Sequence, residues 1–319
     1  MKFAIIGHQL DNQKQNQIIK GWQKHNDFLI TPELDFNGTK GNGISILLSP
    51  KQIIQKPIEE VRKIILKAAV YGQNELGEDI VQLGGLTTSV TSGGVWLTHQ
   101  DEYRGFVNHG DSFTAAVTCQ SVMKALKIKK RKSKESTLAV IGAYGIIGEA
   151  VSRILVPLFN DAILIGRRQE KLKELSSKIK GMLNTSLNIE EARNADVIVT
   201  ATSHTSALLK SEHLKSNAIV IDVSQPNNVS PDVCTARPDI FRVDGGFVDS
   251  PIVSNIPLMP PGKIFACIAE VIMQAIEDDR SHHVGSININ HLRKTETWAK
   301  KHGFIFNDLT NFGVPIKII

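Results

Sequence analysis

One cysteine in an unusual helical context is the residue of this chain best suited to do chemistry. Cys267 follows a stop made of two prolines and a glycine, and it lies in the apolar run 264–270. The run predicts a helix whose one polar face carries Lys263, Cys267, Glu270, Gln274 and Glu277. A thiol in the first turn meets the positive end of the helix dipole and a neighbouring lysine, and both favour the nucleophilic thiolate. The alternative is that Cys267 packs as a small hydrophobic residue.

A glycine pattern upstream predicts a dinucleotide-binding loop. The apolar residues 138–141 lead into Gly142, Gly145 and Gly148, and apolar residues continue beyond them at helical spacing. Strand, tight turn and helix in this order are the context in which such glycines hold a pyrophosphate at a helix N-terminus. The residues expected to contact the cofactor are Gly142, Ala143, Tyr144, Gly145, Ile146, Ile147 and Gly148. The alternative is a glycine-rich turn without a ligand.

The residues after the next strand indicate which dinucleotide binds. An NAD site usually has an acidic residue at the end of this strand to hold the ribose diol. Here the strand 162–165 runs into Gly166, Arg167 and Arg168 instead. Two guanidinium groups suit the 2′-phosphate of NADP, which favours NADPH as cofactor. Exposed loop arginines are the alternative.

Three further apolar segments complete a doubly wound domain. They are residues 195–203, 218–223 and 241–246, and each reads as a buried parallel strand. The first ends in Thr202 and Ser203 and the last in Gly245 and Gly246. Small residues at these ends predict room for the nicotinamide half of the cofactor, so Thr202, Ser203 and Gly245 join the candidate cofactor site.

The N-terminal part of the chain reads differently. Residues 57–71 predict an amphipathic helix whose inner face carries Val61, Ile64, Ile65, Ala68 and Ala69. Two patches rich in glycine and hydroxyl residues follow, at 83–89 and 108–115. Such patches often hold substrate carbonyls, but they are equally good turns, and spacing alone does not decide between the two.

Composition is typical of a soluble enzyme. The chain has 319 residues, 41% of them hydrophobic, which is enough for two domains with real cores. No apolar stretch reaches the about 20 residues that cross a membrane, and the start of the chain is not a signal peptide. Three distant cysteines and ten histidines show no metal-ligand spacing, so no metal site is expected, and His282-His283 is interpreted as a surface pair. Free cysteines favour a cytoplasmic location.

The net charge of +5 points to an anionic partner. The densest basic run covers residues 127–134, directly before the strand of the glycine loop. We interpret it as a solvated linker between domains. The alternatives are docking of an acidic protein or of a nucleic acid, but no nucleic-acid-binding motif supports the latter.

Taken together, these segments resemble a known enzyme family. The residues that carry the resemblance are Ile6-Gly7-His8, Leu83-Gly84-Gly85-Leu86-Thr87-Thr88-Ser89, Gly110-Asp111-Ser112-Phe113-Thr114-Ala115, Gly142 to Gly148, Val243-Asp244-Gly245-Gly246 and Phe265-Ala266-Cys267-Ile268-Ala269-Glu270. In this order they are similar to the long-chain acyl-[acyl-carrier-protein] reductases, and the likeness covers nearly the whole chain. The combination is specific, whereas the glycine loop alone is not.

The resemblance implies an activity. In that family an acyl thioester is transferred to a cysteine, here Cys267, and reduced by NADPH to a fatty aldehyde. It implies a thioester of acyl carrier protein or coenzyme A as substrate, and it leaves an aldehyde-consuming oxygenase as a candidate partner. One departure is Asp111, where the family commonly has Asn. The competing interpretations are an amino-acid or shikimate dehydrogenase-like enzyme without covalent catalysis and a dinucleotide-sensing binding protein.

Covalent transfer splits a difficult reduction into two steps and fixes the acyl carbonyl in place. The developing oxyanion needs donors. Candidates are backbone amides near Cys267 and the hydroxyls of Thr87, Ser89, Ser112 and Thr114. For proton transfer the candidates are Glu270, one helical turn from Cys267, and His8, at the end of the first strand.

The expected fold class is α/β. A Rossmann-type doubly wound parallel sheet forms an NADP-binding domain over residues 135–260, and residues 1–125 form a second α/β lobe for the substrate. Residues 126–134 are the basic linker. Residues 261–319 return to the substrate lobe with Cys267 and include a helix over 289–302, capped by Gly303.

Overall fold

The N-terminal half of the chain forms a sheet with a parallel centre. The computed structural model describes residues 1–9, 21–251 and 259–317. The strands are β1 (Phe3–His8), β2 (Gln23–His25), β3 (Phe28–Ile30), β4 (Leu34–Phe36), β5 (Thr39–Ile46), β6 (Ile80–Leu83) and β7 (Phe106–Asn108). Their order is β2-β3-β5-β1-β6-β7, with β4 paired to β5. Strands β5, β1, β6 and β7 run parallel, so their carboxyl ends share one edge.

Four helices accompany this sheet. They are α1 (Pro50–Gln55), α2 (Ile58–Tyr71), α3 (Leu86–Val90) and α4 (Asp111–Ile128). The predicted inner face of α2 is confirmed, since Val61, Ile65, Ala68 and Ala69 are buried and Ile64 is half-buried. Helix α4 is 18 residues long and buried along most of its length, in contact with helices of both halves of the molecule.

The second sheet has six parallel strands. They are β8 (Thr137–Ile141), β9 (Asp161–Ile165), β10 (Leu183–Ser186), β11 (Val197–Thr200), β12 (Ile219–Asp222) and β13 (Phe241–Asp244). The order β10-β9-β8-β11-β12-β13 is that of the doubly wound dinucleotide-binding fold. Helices α5 (Ile146–Leu155), α6 (Gln169–Ser176) and α7 (Pro231–Ala236) connect these strands. The predicted fold class is therefore confirmed.

The chain beyond β13 returns to the first sheet. It forms β14 (Phe247–Asp249), β15 (Lys263–Phe265), α8 (Ala266–Ile276), α9 (Ile289–His302), β16 (Thr310–Asn311) and β17 (Val314–Pro315). Helix α8 packs on α4 and on strands β1 and β6. Helix α9 has the predicted bounds, and Gly303 caps it in the left-handed conformation at φ 81°.

Two details of the sequence interpretation are wrong. Lys263 and Ile264 belong to β15, which pairs with β14, so α8 begins at Ala266 and Lys263 is not on its polar face. Helix α4 continues to Ile128 because Leu126 is buried in the core, so the predicted boundary at 125 falls inside a helix. The division into lobes remains a proposal, and residues 10–20, 252–258 and 318–319 of it lie outside the described part.

The described helices include none that combines the length and the apolar character needed to cross a membrane.

Candidate active site

A cavity of about 370 Å³ lies where the carboxyl ends of the parallel strands of both sheets face each other. Such edges are the usual place for ligands in α/β folds. Of the residues selected from the sequence, those that line the cavity are His8, Ser89, Thr114, Gly145, Ile146, Ile147, Thr202, Ser203, Gly245 and Cys267. The cavity therefore joins residues more than two hundred positions apart in the chain.

Close packing between two helix N-termini brings Cys267 into this cavity. Cys267 is in the first turn of α8, and Gly110 precedes the first turn of α4 with a φ of 72°. A Cβ added to Gly110 would lie 2.5 Å from the Cβ of Cys267. Only glycine combines this backbone angle with so close an approach.

The environment of Cys267 favours the thiol over the thiolate. Burial raises the pKa of Cys267 to about 12, with further increases from the nearby Asp111 and Glu270, while the backbone N–H groups of Cys267 and Ile268 oppose the increase. Lys263 forms an ion pair with Asp249 instead of acting on the thiol. The prediction that a lysine and the helix dipole give a resting thiolate is therefore wrong.

Glu270 lies behind the cavity wall and does not line it. Its side chain is fully buried, with Oε1 3.0 Å from Nε2 of His291 and Oε2 accepting the backbone N–H of Phe113 at 2.7 Å. Burial raises the pKa of Glu270, but the hydrogen bond and charge of His291 outweigh it and hold the pKa below its ordinary value. Glu270 is thus a carboxylate that joins three helices, and the predicted direct proton transfer to substrate has no path from this position.

The four hydroxyls selected as oxyanion donors occupy different positions. Thr87 and Ser112 are buried outside the cavity lining, and the Thr87 hydroxyl donates to the Gly84 carbonyl at 2.9 Å. The hydroxyl of Thr114 lines the cavity but donates to the Gly110 carbonyl at 3.0 Å. Ser89 is exposed at the cavity wall. Of the four, Ser89 is thus the residue that is both exposed and part of the cavity lining.

His8 lies at the carboxyl end of β1 and faces the cavity, as predicted. Its Nδ1 is 2.9 Å from the carbonyl oxygen of Gln9, so this nitrogen carries a proton. In the neutral ring Nε2 is then the basic nitrogen.

His109 and Asp111 also line the cavity, and the sequence analysis gave neither of them a role in the site. Nδ1 of His109 accepts the backbone N–H of Asp111 at 2.9 Å, and burial lowers the pKa of His109 to about 4. Burial and the charge of Glu270 raise the pKa of Asp111 well above its ordinary value. The departure at Asp111 was visible in the sequence, but its burial beside Cys267 depends on α8 and is not visible there.

The glycine loop has the geometry expected of a dinucleotide site. Gly142 has a φ of 81°, and a Cβ on Gly148 would overlap the carbonyl oxygen of Gly142, so turn and helix pack as closely as the motif requires. Gly145 is the N-cap residue of α5 and lines the cavity. Arg167 and Arg168 are exposed at the end of β9, where the Tyr144 hydroxyl accepts the N–H of Arg167 at 3.0 Å. These residues fit NADP.

A histidine cluster lies outside the cavity. Of the pair His282-His283, predicted to lie on the surface, His282 is exposed and its Nδ1 accepts the N–H of Val107 in β7, whereas His283 is half-buried and its ring stacks on His291 of α9. The candidate ligand atoms of Asp279, His283 and His291 lie within 4.8 Å of one another. The side chains of Lys294 and Ser281 already donate to Asp279, and we assign no metal to the cluster.

Known proteins are similar to this chain over much of its length. The chain is 28% identical over 285 residues to the long-chain acyl-[acyl-carrier-protein] reductase of Synechococcus elongatus, which is 83% of this chain and 82% of that protein. The chain resembles the long-chain acyl-[acyl-carrier-protein] reductases. The resemblance seen in the motifs is thereby confirmed.

Other similarities are broader. The family model of shikimate/quinate 5-dehydrogenases matches residues 124–245, which include the whole second sheet. The aminotransferase PigE of Serratia is 24% identical over 267 residues, 79% of this chain and 31% of that protein, so the chain spans about a third of its length. The solved chorismate mutase/shikimate 5-dehydrogenase fusion of Clostridium acetobutylicum is 15% identical, with a TM-score of 0.41 over 95% of this chain and 98% of that one. Together with the fold, the similar reductase of Synechococcus elongatus and the dehydrogenase family model support an NAD(P)-binding oxidoreductase.

We expect the buried His109 to make stability depend on pH. Its pKa is lowered to about 4 in the folded state, so the unfolded chain takes up a proton below about pH 6.5 while the folded chain does not. The free energy of unfolding should therefore fall by about 2 kcal/mol from this group between pH 7 and pH 5. Urea unfolding at both pH values should show a smaller fall for His109→Gln than for the wild type. The exposed His204→Gln variant is the control, and a fall of equal size in His109→Gln would contradict the assignment.

Proposed function

We propose that this protein reduces a fatty acyl thioester to the aldehyde with NADPH, through an acyl intermediate on Cys267. The observation that carries the proposal is the shared cavity: the thiol of Cys267 and the dinucleotide loop line the same space. The acyl-carrier-protein reductase of Synechococcus elongatus, similar over most of both chains, supports it. The proposal includes a cytoplasmic location and a thioester of acyl carrier protein or coenzyme A.

In the first step the Cys267 thiol must lose its proton, because burial holds it in the neutral form. We assign this proton to Nε2 of His8, the basic nitrogen of a ring that faces the same cavity. The sulfur then bonds to the acyl carbon as the bond to the carrier sulfur breaks. The carrier leaves as a thiolate and takes the proton from His8, so the acyl group remains on Cys267.

In the second step the acyl group on Cys267 is reduced to the aldehyde level, and NADPH, when bound, would supply the hydride. The chain contributes the N-terminus of α5 for the pyrophosphate, Arg167 and Arg168 for the 2′-phosphate, and Thr202, Ser203 and Gly245 around the reacting half. Backbone N–H groups at the start of α8 stabilise the negative charge on the substrate oxygen. Departure of the Cys267 thiolate releases the aldehyde, and a proton taken up from solvent returns Cys267 to its thiol form.

The two competing functions receive less support. A dehydrogenase without covalent catalysis is expected to use a lysine and an aspartate as proton relay. Among the described residues that line the cavity there is Asp111 but no lysine. The shikimate/quinate dehydrogenase match covers the dinucleotide half and stops before Cys267, so it does not favour one reaction over the other. A dinucleotide sensor gives no reason for a thiol in the cavity.

Two partner predictions from the sequence, an aldehyde-consuming oxygenase and docking of a carrier protein on the basic run, are not part of the proposed function. An aldehyde-consuming oxygenase has no support in the fold or in the relatives. The basic run 127–134 begins at the far end of α4, whose 18 residues extend about 27 Å from the end that meets Cys267. This run is therefore on the wrong side of the molecule to deliver a carrier-bound acyl group to the cavity.

We expect Cys267 to accumulate an acyl adduct when the protein is mixed with an acyl thioester and no NADPH, since the first step needs no hydride. Intact mass should show the adduct in the wild type and in Cys234→Ala, and no adduct in Cys267→Ala. Aldehyde formation should be lost with the adduct. Full activity of Cys267→Ala would refute covalent catalysis.

Cofactor preference should depend on the two arginines after β9. The double variant Arg167→Ala, Arg168→Ala should lose the preference for NADPH over NADH by about tenfold or more, because two charge-assisted contacts to phosphate are removed. The measurement is the ratio of kcat/KM for the two cofactors, and the change should be mainly in the KM for NADPH. Arg153→Ala, exposed on α5, is the control. An unchanged ratio in the double variant would show that the arginines do not read the 2′-phosphate.

Charge reversal in the basic run should leave the reaction intact. Because the run is distant from the cavity, the double variant Lys127→Glu, Lys130→Glu should reduce both acyl thioesters of acyl carrier protein and small acyl thioesters at wild-type rates. Steady-state rates at low and moderate salt with both substrates are the measurement. A loss confined to the carrier-bound substrate at low salt would assign docking to the run after all.

A further inference from the structure

Asp111 is the acidic residue that the proposed mechanism leaves without a role. It is the first residue of α4 and lines the cavity, and its neighbour Gly110 lies against Cys267. Its side chain is 15% exposed, and that exposure is into the cavity lined by Cys267. The carboxyl group is therefore beside the thiol, on the side from which a substrate approaches.

The groups around Asp111 leave its carboxyl without a cationic partner among the described residues. On its own loop, His109 lies 3.8 Å away, but its Nδ1 accepts the N–H of Asp111 and its ring bonds the backbone of Gly285, so the imidazole is neutral. On α8 the facing groups are Cys267 and the Glu270 carboxylate. Behind Glu270, His291 of α9 and the stacked His283 pair with Glu270 and Asp279. Burial and the Glu270 charge both raise the pKa of Asp111, which favours the protonated carboxyl.

We propose that Asp111 is a catalytic residue whose carboxyl O–H donates a hydrogen bond to the carbonyl oxygen of the thioester as Cys267 attacks it. This inference rests on the proposed function. A protonated carboxyl in an apolar wall is a strong donor that needs no rearrangement as negative charge develops. The hydroxyls of Thr87 and Thr114 donate to backbone carbonyls, and Glu270 accepts hydrogen bonds, so Asp111 supplies a donor that these residues do not.

Acylation of Cys267 needs no reactant other than the thioester. The Cys267 sulfur contributes the electron pair of the new C–S bond, and the π electrons of the carbonyl move to oxygen, which accepts the hydrogen bond from Asp111. When the oxygen returns its electron pair, the carbonyl is restored and the carrier sulfur leaves with the pair of the broken bond. Asp111 retains its proton throughout, so the same group is ready for the next turnover.

The test measures acylation of Cys267 by an acyl N-acetylcysteamine thioester without NADPH, followed by intact mass. Asp111→Ala should acylate about 100-fold more slowly than the wild type, because a donor to the oxyanion is lost. Asp111→Asn retains a donor and should acylate faster than Asp111→Ala. The exposed Asp101→Asn is the control for a surface carboxylate. Asp111→Ala acylating at the wild-type rate would overturn the inference.

The pH profile separates this role from a structural one. Wild-type acylation should decline at high pH as Asp111 loses its proton, and Asp111→Asn should lack that decline because an amide does not titrate. A helix-stabilising role for Asp111 would leave the profile unchanged. The same decline in both proteins would therefore refute the catalytic role, even if Asp111→Ala does not fold.

A second readout does not depend on the reaction. Alkylation of Cys267 by iodoacetamide at pH 7 should be similar in wild type and Asp111→Asn, because one uncharged group replaces another. An increase of about tenfold or more would mean that a carboxylate beside the thiol had been removed, which overturns the inference.

Failure of the proposed function and failure of this inference give different results. Wild-type protein that forms no acyl adduct refutes the proposed function, and the alkylation rates then show only whether the Asp111 carboxyl is protonated. Adduct formation with no effect of Asp111→Ala refutes only the inference.

Discussion

A buried carboxylate holds the thiol side of the cavity together. Glu270 accepts the N–H of Phe113 in the first turn of α4 and pairs with His291 in the first turn of α9, so it joins α8 to two other helices. Its negative charge meets the positive end of α4, which favours the arrangement. Removing one member would leave a buried charge unpaired, which is costly. Because α4 is fixed at its first turn, Gly110 stays against Cys267 and Asp111 stays in the cavity wall.

The cavity depends equally on how the chain crosses between its two sheets. Helix α4 leads from the first sheet to the second, and β14 and β15 bring the chain back to α8. The first crossing starts after the carboxyl end of β7, and the second starts after the carboxyl end of β13. Cofactor loop and thiol are therefore contributed by different halves of the molecule to one space, which is a suitable arrangement for transfer between two bound partners.

Local patterns in the sequence predicted much of this fold. The buried strands of the second sheet, the glycine loop and helix α9 with its Gly303 cap each depend on neighbours in the chain, and the structure has them where expected. The start of α8 was misjudged because β15 depends on pairing with β14, which no local pattern reveals. In the site, Cys267 and His8 were found by type and context. His109 was not, because its importance comes from burial under α8 and α9.

Electrostatics in the cavity were the least predictable part, since they depend on which charges burial brings together. Lys263, four positions before Cys267, has its charge paired with Asp249, whereas Asp111, 156 positions from Cys267 in the chain, lies close to the thiol. The result is a wall in which His109, Asp111 and Cys267 all favour their uncharged forms. Charge formed there during a reaction is poorly solvated, so it must be created together with the substrate groups that stabilise it. Such a wall favours the neutral thiol of Cys267 over the thiolate.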